Sequence, residues 1–213
     1  MQRPPRQGAL DIVIIPGNPG VPSFYSTYAT RLWELLGGRA NIEIVGYLGH
    51  STDNLGVKGW YTLQQQLDHV TAYLEERAST RTMLIGHSIG AEMAVHALHT
   101  LGTERIGRVV GLMPFLLVNR DSALQRLLCA LVHISPLVRT VAAIVGIIRG
   151  AFPAPLRALL LERPATKGMD PGPAALTVRW LRHNSVINMA LMARLSPNTP
   201  PLRSRLKSAK RSL

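Results

Sequence analysis

Residues 82–101 read TMLIGHSIGAEMAVHALHTL, and this stretch restricts the fold more than any other. The apolar run at 83–85 predicts a short strand. The turn Gly86-His87-Ser88-Ile89-Gly90 follows, and helical spacing begins directly after it. The turn fits G-x-S-x-G, the nucleophile elbow, in which a serine on a strained strand-to-helix turn holds its hydroxyl off the sheet edge. Gly86 and Gly90 carry no Cβ, so strand and helix can pass close together. The first amides of the helix have no intrahelical acceptor and suit a developing oxyanion. Three fixed positions alone are a weak pattern; the strand before and the helix after supply the context the motif requires.

The rest of the first half fits a parallel sheet around that elbow. Residues 10–15, LDIVII, are apolar and β-branched and predict a buried parallel strand. They run into Pro16-Gly17-Asn18-Pro19-Gly20, an irregular loop by composition. By order along the chain, Asn18 occupies the place from which a backbone N–H completes an oxyanion hole, with Ile89 giving the other donor. Ser23 or Ser26 is expected to cap a helix bearing Tyr25, Tyr28, Ala29, Leu32, Trp33 and Leu36 on one face and ending at Gly37-Gly38. Residues 41–46 predict a second strand and 108–113 a fourth. The helix at 63–74 should bury Leu63, Leu67, Val70 and Leu74 and leave His69 on the surface. His50, at a strand end, reads equally as a site-lining residue or a surface one. Strands alternating with helices give an α/β fold with a parallel sheet.

After Asp121 the character changes. Residues 124–161 are mostly apolar, but Pro136 and Arg139 lie at the centre of the part long enough to span a bilayer. A broken helical pair is therefore expected, as an apolar cap or a lipid-docking surface with Arg126, Arg139, Arg149 and Arg157 at headgroup level. Residues 164–173 read as a linker, and one helix is expected over 176–195. Residues 196–213, SPNTPPLRSRLKSAKRSL, read as a basic disordered tail. The expected layout is thus a hydrolytic core at 1–120, a helical cap at 121–195 and the tail.

The net charge of +12 points to an anionic partner, and the chain after Asp170 contains no acid. Aromatics are 5%, without interleaving among the basic residues, so specific nucleic-acid binding is not expected. The N-terminus is too polar for a secretory signal. The single cysteine, Cys129, excludes an internal disulfide. Glu92, His96 and His99 form a stripe on the elbow helix, but without H-E-x-x-H order it reads as a solvated face, and no metal or cofactor is expected.

A serine hydrolase of this order places an acid and then a histidine on later strands. After Ser88 the histidines are His96, His99, His133 and His183, none following a predicted strand. Asp121 stands eight residues past Met113, where some hydrolases place their acid. The triad is incomplete on sequence.

The residues assembled above resemble the lipid droplet-associated hydrolase family, a serine α/β-hydrolase group. The likeness is carried by IIPGNPGVPSFY at 14–25, YLGHST at 47–52, GWYTLQQQLDH at 59–69 and LIGHSIGA at 84–91. More loosely it extends to the apolar region and to NSVINMALMA at 184–193, covering about residues 9–195. It implies an α/β-hydrolase-like sheet with Ser88 as nucleophile and a lipid acyl ester as substrate. It also implies a place on the lipid droplet or on the cytoplasmic face of the endoplasmic reticulum membrane. The family's acid and histidine are expected downstream of Ala193, in strands this chain lacks. The chain therefore reads as C-terminally truncated, with either impaired catalysis or a non-catalytic role in binding lipid surfaces. Oligomeric state is not legible.

Overall fold

Leu10–Ile15 forms β1, which pairs in parallel with β2 (Ala40–Ile44) on one side and β3 (Thr82–His87) on the other. β4 (Arg108–Leu112) adds beyond β3, giving the order β2-β1-β3-β4. The computed structural model describes residues 10–50, 59–115 and 121–194. They divide into two units. Of the described residues, the first comprises 10–47 and 64–115, and the second 48–50, 59–63 and 121–194. The basic tail and residues 51–58 lie outside the described residues.

In the first unit both sheet faces are covered, as an apolar β1 requires. Ile12 and Ile14 point to one side, where Ala40, Ile85 and the α1 helix (Ser26–Leu35) close a core with Tyr25, Ala29, Leu32 and Leu36. Val13, Ile15 and Leu84 are buried on the alternate positions. The N-cap of α1 is Tyr25 rather than Ser23 or Ser26, and it makes no side-chain cap hydrogen bond. Pro22–Tyr25 forms a 3-10 turn that runs straight into the helix, with Pro22 presetting its first φ. Gly37 and Gly38 end it at φ 61° and 68°, as expected.

α2 (Leu63–Arg77) buries Gln66, Val70 and Leu74 rather than the purely apolar stripe expected. His69 is half-buried, its Nε2 3.0 Å from the Gly46 carbonyl, which corrects the surface reading. α3 (Ile89–Leu101) follows the elbow. It buries Glu92 with the aliphatic residues, so Glu92, His96 and His99 are not one solvated face.

The second unit is helical. α4 (Ala123–His133) is capped by Ser122, whose hydroxyl accepts the Gln125 N–H. α5 (Ser135–Ala151) starts immediately, with Pro136 in its first turn, and the two axes meet at 82°. No described helix alone is long and apolar enough to cross a membrane, though the bent pair together is. Ala142 and Val145 of α5 pack with Leu161, Val186 and Ile187 into this unit's own core.

The expected linker is largely helical. α6 (Ala154–Arg157), a π-helical turn (Ala158–Glu162) and α7 (Arg163–Thr166) run in succession, and α8 (Pro171–Trp180) starts on a proline at its first position. The single helix expected over 176–195 breaks at Leu181-Arg182. There the Ser185 hydroxyl accepts the Arg182 N–H at 2.7 Å and donates to its carbonyl at 2.8 Å, starting α9 (His183–Ala193) afresh. Asn188 of α9 accepts the Tyr61 N–H and donates to the Gly59 carbonyl, holding the segment before α2.

Candidate active site

Ser88 joins β3 to α3 with φ 51° and ψ −120°, a backbone region that a side-chain-bearing residue enters only when its surroundings fix it. Here they do. The Ser88 N–H donates to the Leu112 carbonyl at 3.0 Å, and the Ser88 carbonyl accepts from Ala91 and from Phe115, each at 3.1 Å. Both elbow glycines are obligatory. A Cβ on Gly86 would lie 2.4 Å from the Gly90 carbonyl oxygen, and one on Gly90 2.2 Å from that of Ile15. Helix and strand thus pass at backbone distance.

Register brings the second half of the site alongside. Ile15 is paired with Gly86, so the Pro16–Gly20 loop leaves the sheet beside His87 and Ser88. A Cβ on Gly17 would meet His87 Nδ1 at 2.8 Å and Ser88 Cβ at 3.1 Å. Two tyrosines set the loop. The Tyr47 hydroxyl donates to the Pro16 carbonyl, while the Tyr47 N–H donates to the Gly20 carbonyl at 3.2 Å. The Tyr25 hydroxyl accepts the Gly17 N–H at 2.7 Å and lies 2.7 Å from His87 Nδ1. Burial raises both phenol pKa values, Tyr47's well above the ordinary range, so both stay protonated; the Gly17 N–H opposes the rise at Tyr25. With Gly17 engaged by Tyr25, Asn18 carries the next N–H of the loop, and Pro19 carries none. At the elbow, Ile89 begins α3 and has no intrahelical acceptor for its N–H. The structure therefore brings Ser88, Ile89 and the loop bearing Asn18 together in the first unit.

Asp121 belongs to the second unit, exposed in the turn before α4. His133 is exposed and bonded through Nδ1 to the Cys129 carbonyl at 2.6 Å; His183 opens α9. Ser88 Oγ has no hydrogen-bond partner among the described residues. His50 is fully buried in the second unit beside the Trp180 ring, with centroids 6.2 Å apart, which corrects the surface alternative.

Sequence reasoning missed Tyr25 and His87 as parts of the site. Tyr25 stands at helical spacing with core residues, and its ring does pack there, so only its hydroxyl departs from the pattern. His87 occupies a variable position of the elbow motif.

A parallel sheet with a serine at positive φ between strand and helix, backed by a loop from the neighbouring strand, defines an α/β-hydrolase core. The haloalkane dehalogenase DbeA from Bradyrhizobium elkani shares this fold with a TM-score of 0.64 at 12% identity, over 98% of this chain and 70% of its own. The chain belongs to the lipid-droplet associated hydrolase family, whose model matches residues 9–198. The lipid droplet-associated hydrolase of Mus musculus is 30% identical over 104 residues, 41% of this chain and 32% of its own. That of Drosophila melanogaster is 33% identical over 107 residues, 45% and 34% respectively. The aligned stretch thus spans about a third of those relatives' length.

Proposed function

We propose that the chain carries the nucleophile of a serine ester hydrolase that acts on lipid acyl esters at a lipid-droplet surface. The observation that supports this most is the close approach of Gly17 to Ser88, where an added Cβ would lie 3.1 Å from Ser88 Cβ, so the loop runs beside a serine held at φ 51°. In this reading Ser88 Oγ attacks the acyl carbonyl carbon. A C–O bond forms, the carbonyl π pair moves onto oxygen, and the Asn18 and Ile89 N–H groups hold that oxyanion. The serine proton passes to a base and then to the departing alcohol. Two preset donors of this kind supply roughly 10²–10³ in rate each.

A second reading, a non-catalytic protein of lipid surfaces, is supported by the exposed aliphatic residues of α4 and α5, among them Leu124, Leu127, Ile144 and Ile147. Labelling by a fluorophosphonate separates the two. Wild-type protein should label and Ser88→Ala should not, with ester turnover lost in parallel. A wild-type chain that stays unlabelled while floating with lipid vesicles rejects catalysis and leaves the surface reading.

A further inference from the structure

The second unit holds a charge cluster that its own residues do not balance. Residues 121–194 contain nine Lys and Arg against three Asp and Glu, a difference of +6. Glu162 faces two arginines through a single oxygen. Oε1 accepts from Arg157 Nε at 2.9 Å and lies 3.9 Å from Arg149 Nη1. The second distance is too long for a hydrogen bond, and Arg149 Nη1 is buried with no other acceptor. Burial lowers the Arg149 pKa, and the nearby positive charges of Arg182 and Arg157 add to that. Two guanidiniums thus share one carboxylate oxygen, which leaves the pair of arginines a net +1 in a half-buried place.

The backbone is shaped to make this cluster. Arg157 and Glu162 are five residues apart, and at about 3.6 residues per turn an α-helix would put them on different faces. The wider π-helical turn over Ala158–Glu162 brings them to one side. Because Glu162 engages Arg157 only at Nε, both terminal nitrogens of that guanidinium stay available as a planar fork. Arg149 stands in the last turn of α5, where the helix dipole favours a cation. On the same elements, Ile144, Ile147, Leu159 and Leu160 expose aliphatic surface. Guanidinium forks beside apolar side chains match a dianionic phosphate that carries acyl chains, more than a zwitterionic headgroup or a free ion.

We propose that Arg149 and Arg157, oriented by Glu162, form a receptor for the phosphomonoester headgroup of an anionic phospholipid. This rests on the lipid-surface reading of the second unit and gives that surface a preferred lipid. The whole chain is tested by flotation with vesicles of phosphatidylcholine alone, and with phosphatidylserine or phosphatidic acid added at matched surface charge. Phosphatidic acid should bind the wild type best. Arg149→Gln and Arg157→Gln should each weaken that binding about tenfold, with phosphatidylcholine binding unchanged. Arg157→Lys, which keeps the charge and loses the fork, should also weaken it. Glu162→Gln keeps an acceptor for Arg157 and removes the opposing charge, so it should bind phosphatidic acid vesicles more tightly; a purely structural ion pair predicts no gain. Thermal melting of each variant reports its fold.

Equal binding to the two anionic lipids, or wild-type binding by Arg157→Gln, overturns the receptor. Full displacement by millimolar inorganic phosphate overturns the lipid as ligand. Flotation with no vesicle at all overturns the surface reading together with the receptor, whereas headgroup-blind flotation overturns the receptor alone.

Discussion

His50 is a charge switch held in its neutral state. Its ring is fully buried beside Trp180, and burial pushes its pKa down to about 4 from an ordinary 6.5. The folded value lies below the unfolded one, so the unfolded chain takes up the proton first as pH falls. Stability is therefore complete above pH 6.5 and declines down to about pH 4. The loss across that window is about 3 kcal/mol for this residue alone. Chemical unfolding of wild type and His50→Gln at pH 7 and pH 5 checks this: the variant should show the shallower dependence. Identical slopes would assign the acid sensitivity to other groups. The sequence left this histidine undecided because a polar loop says nothing about what will be folded over it; the Trp180 that buries it lies far along the chain.

The elbow is the element where the sequence was most informative. Its glycines record an excluded volume, which three residues can encode. Gly90→Ala places a Cβ against the backbone oxygens of Ile15 and Pro16, and backbone cannot swing aside as a side chain would. We expect a loss of about 3 kcal/mol by urea unfolding. Gly150, in α5, has nothing within 4 Å of its missing Cβ. Gly150→Ala should instead raise stability by up to about 1 kcal/mol. Comparable effects at the two positions would contradict the close packing of α3 on β1. Other boundaries were hidden because they depend on hydrogen bonds rather than on hydrophobic spacing. The start of α9 is fixed by the Ser185 hydroxyl and the Arg182 backbone, inside a run whose apolar pattern continues unbroken. The π-helical turn likewise has no period of its own to read.

For the molecule as a whole, charge and apolar exposure point the same way. On the proposed lipid-surface reading, the +12 of the chain would act on anionic surfaces over roughly a Debye length, and the aliphatic side chains of the bent α4–α5 pair would supply the part of binding that salt leaves intact. Leu128 and Ile147 are each more than half exposed, so replacing both by Asn removes no core contact of consequence. The double variant should keep its thermal midpoint and lose flotation with neutral vesicles, and undiminished flotation would remove these helices from the docking surface. The break between α4 and α5 was legible early, because Pro136 and Arg139 within an apolar run exclude a single straight span.

The hydroxyl of Tyr25 has a further meaning for His87. A phenol has one proton to give. In the Nε2–H tautomer of His87 that proton goes to Nδ1 while the phenol oxygen accepts from Gly17, so one hydroxyl ties the loop after β1 to the elbow. In that tautomer the Nδ1 lone pair is taken by Tyr25 and does not receive the proton of Ser88.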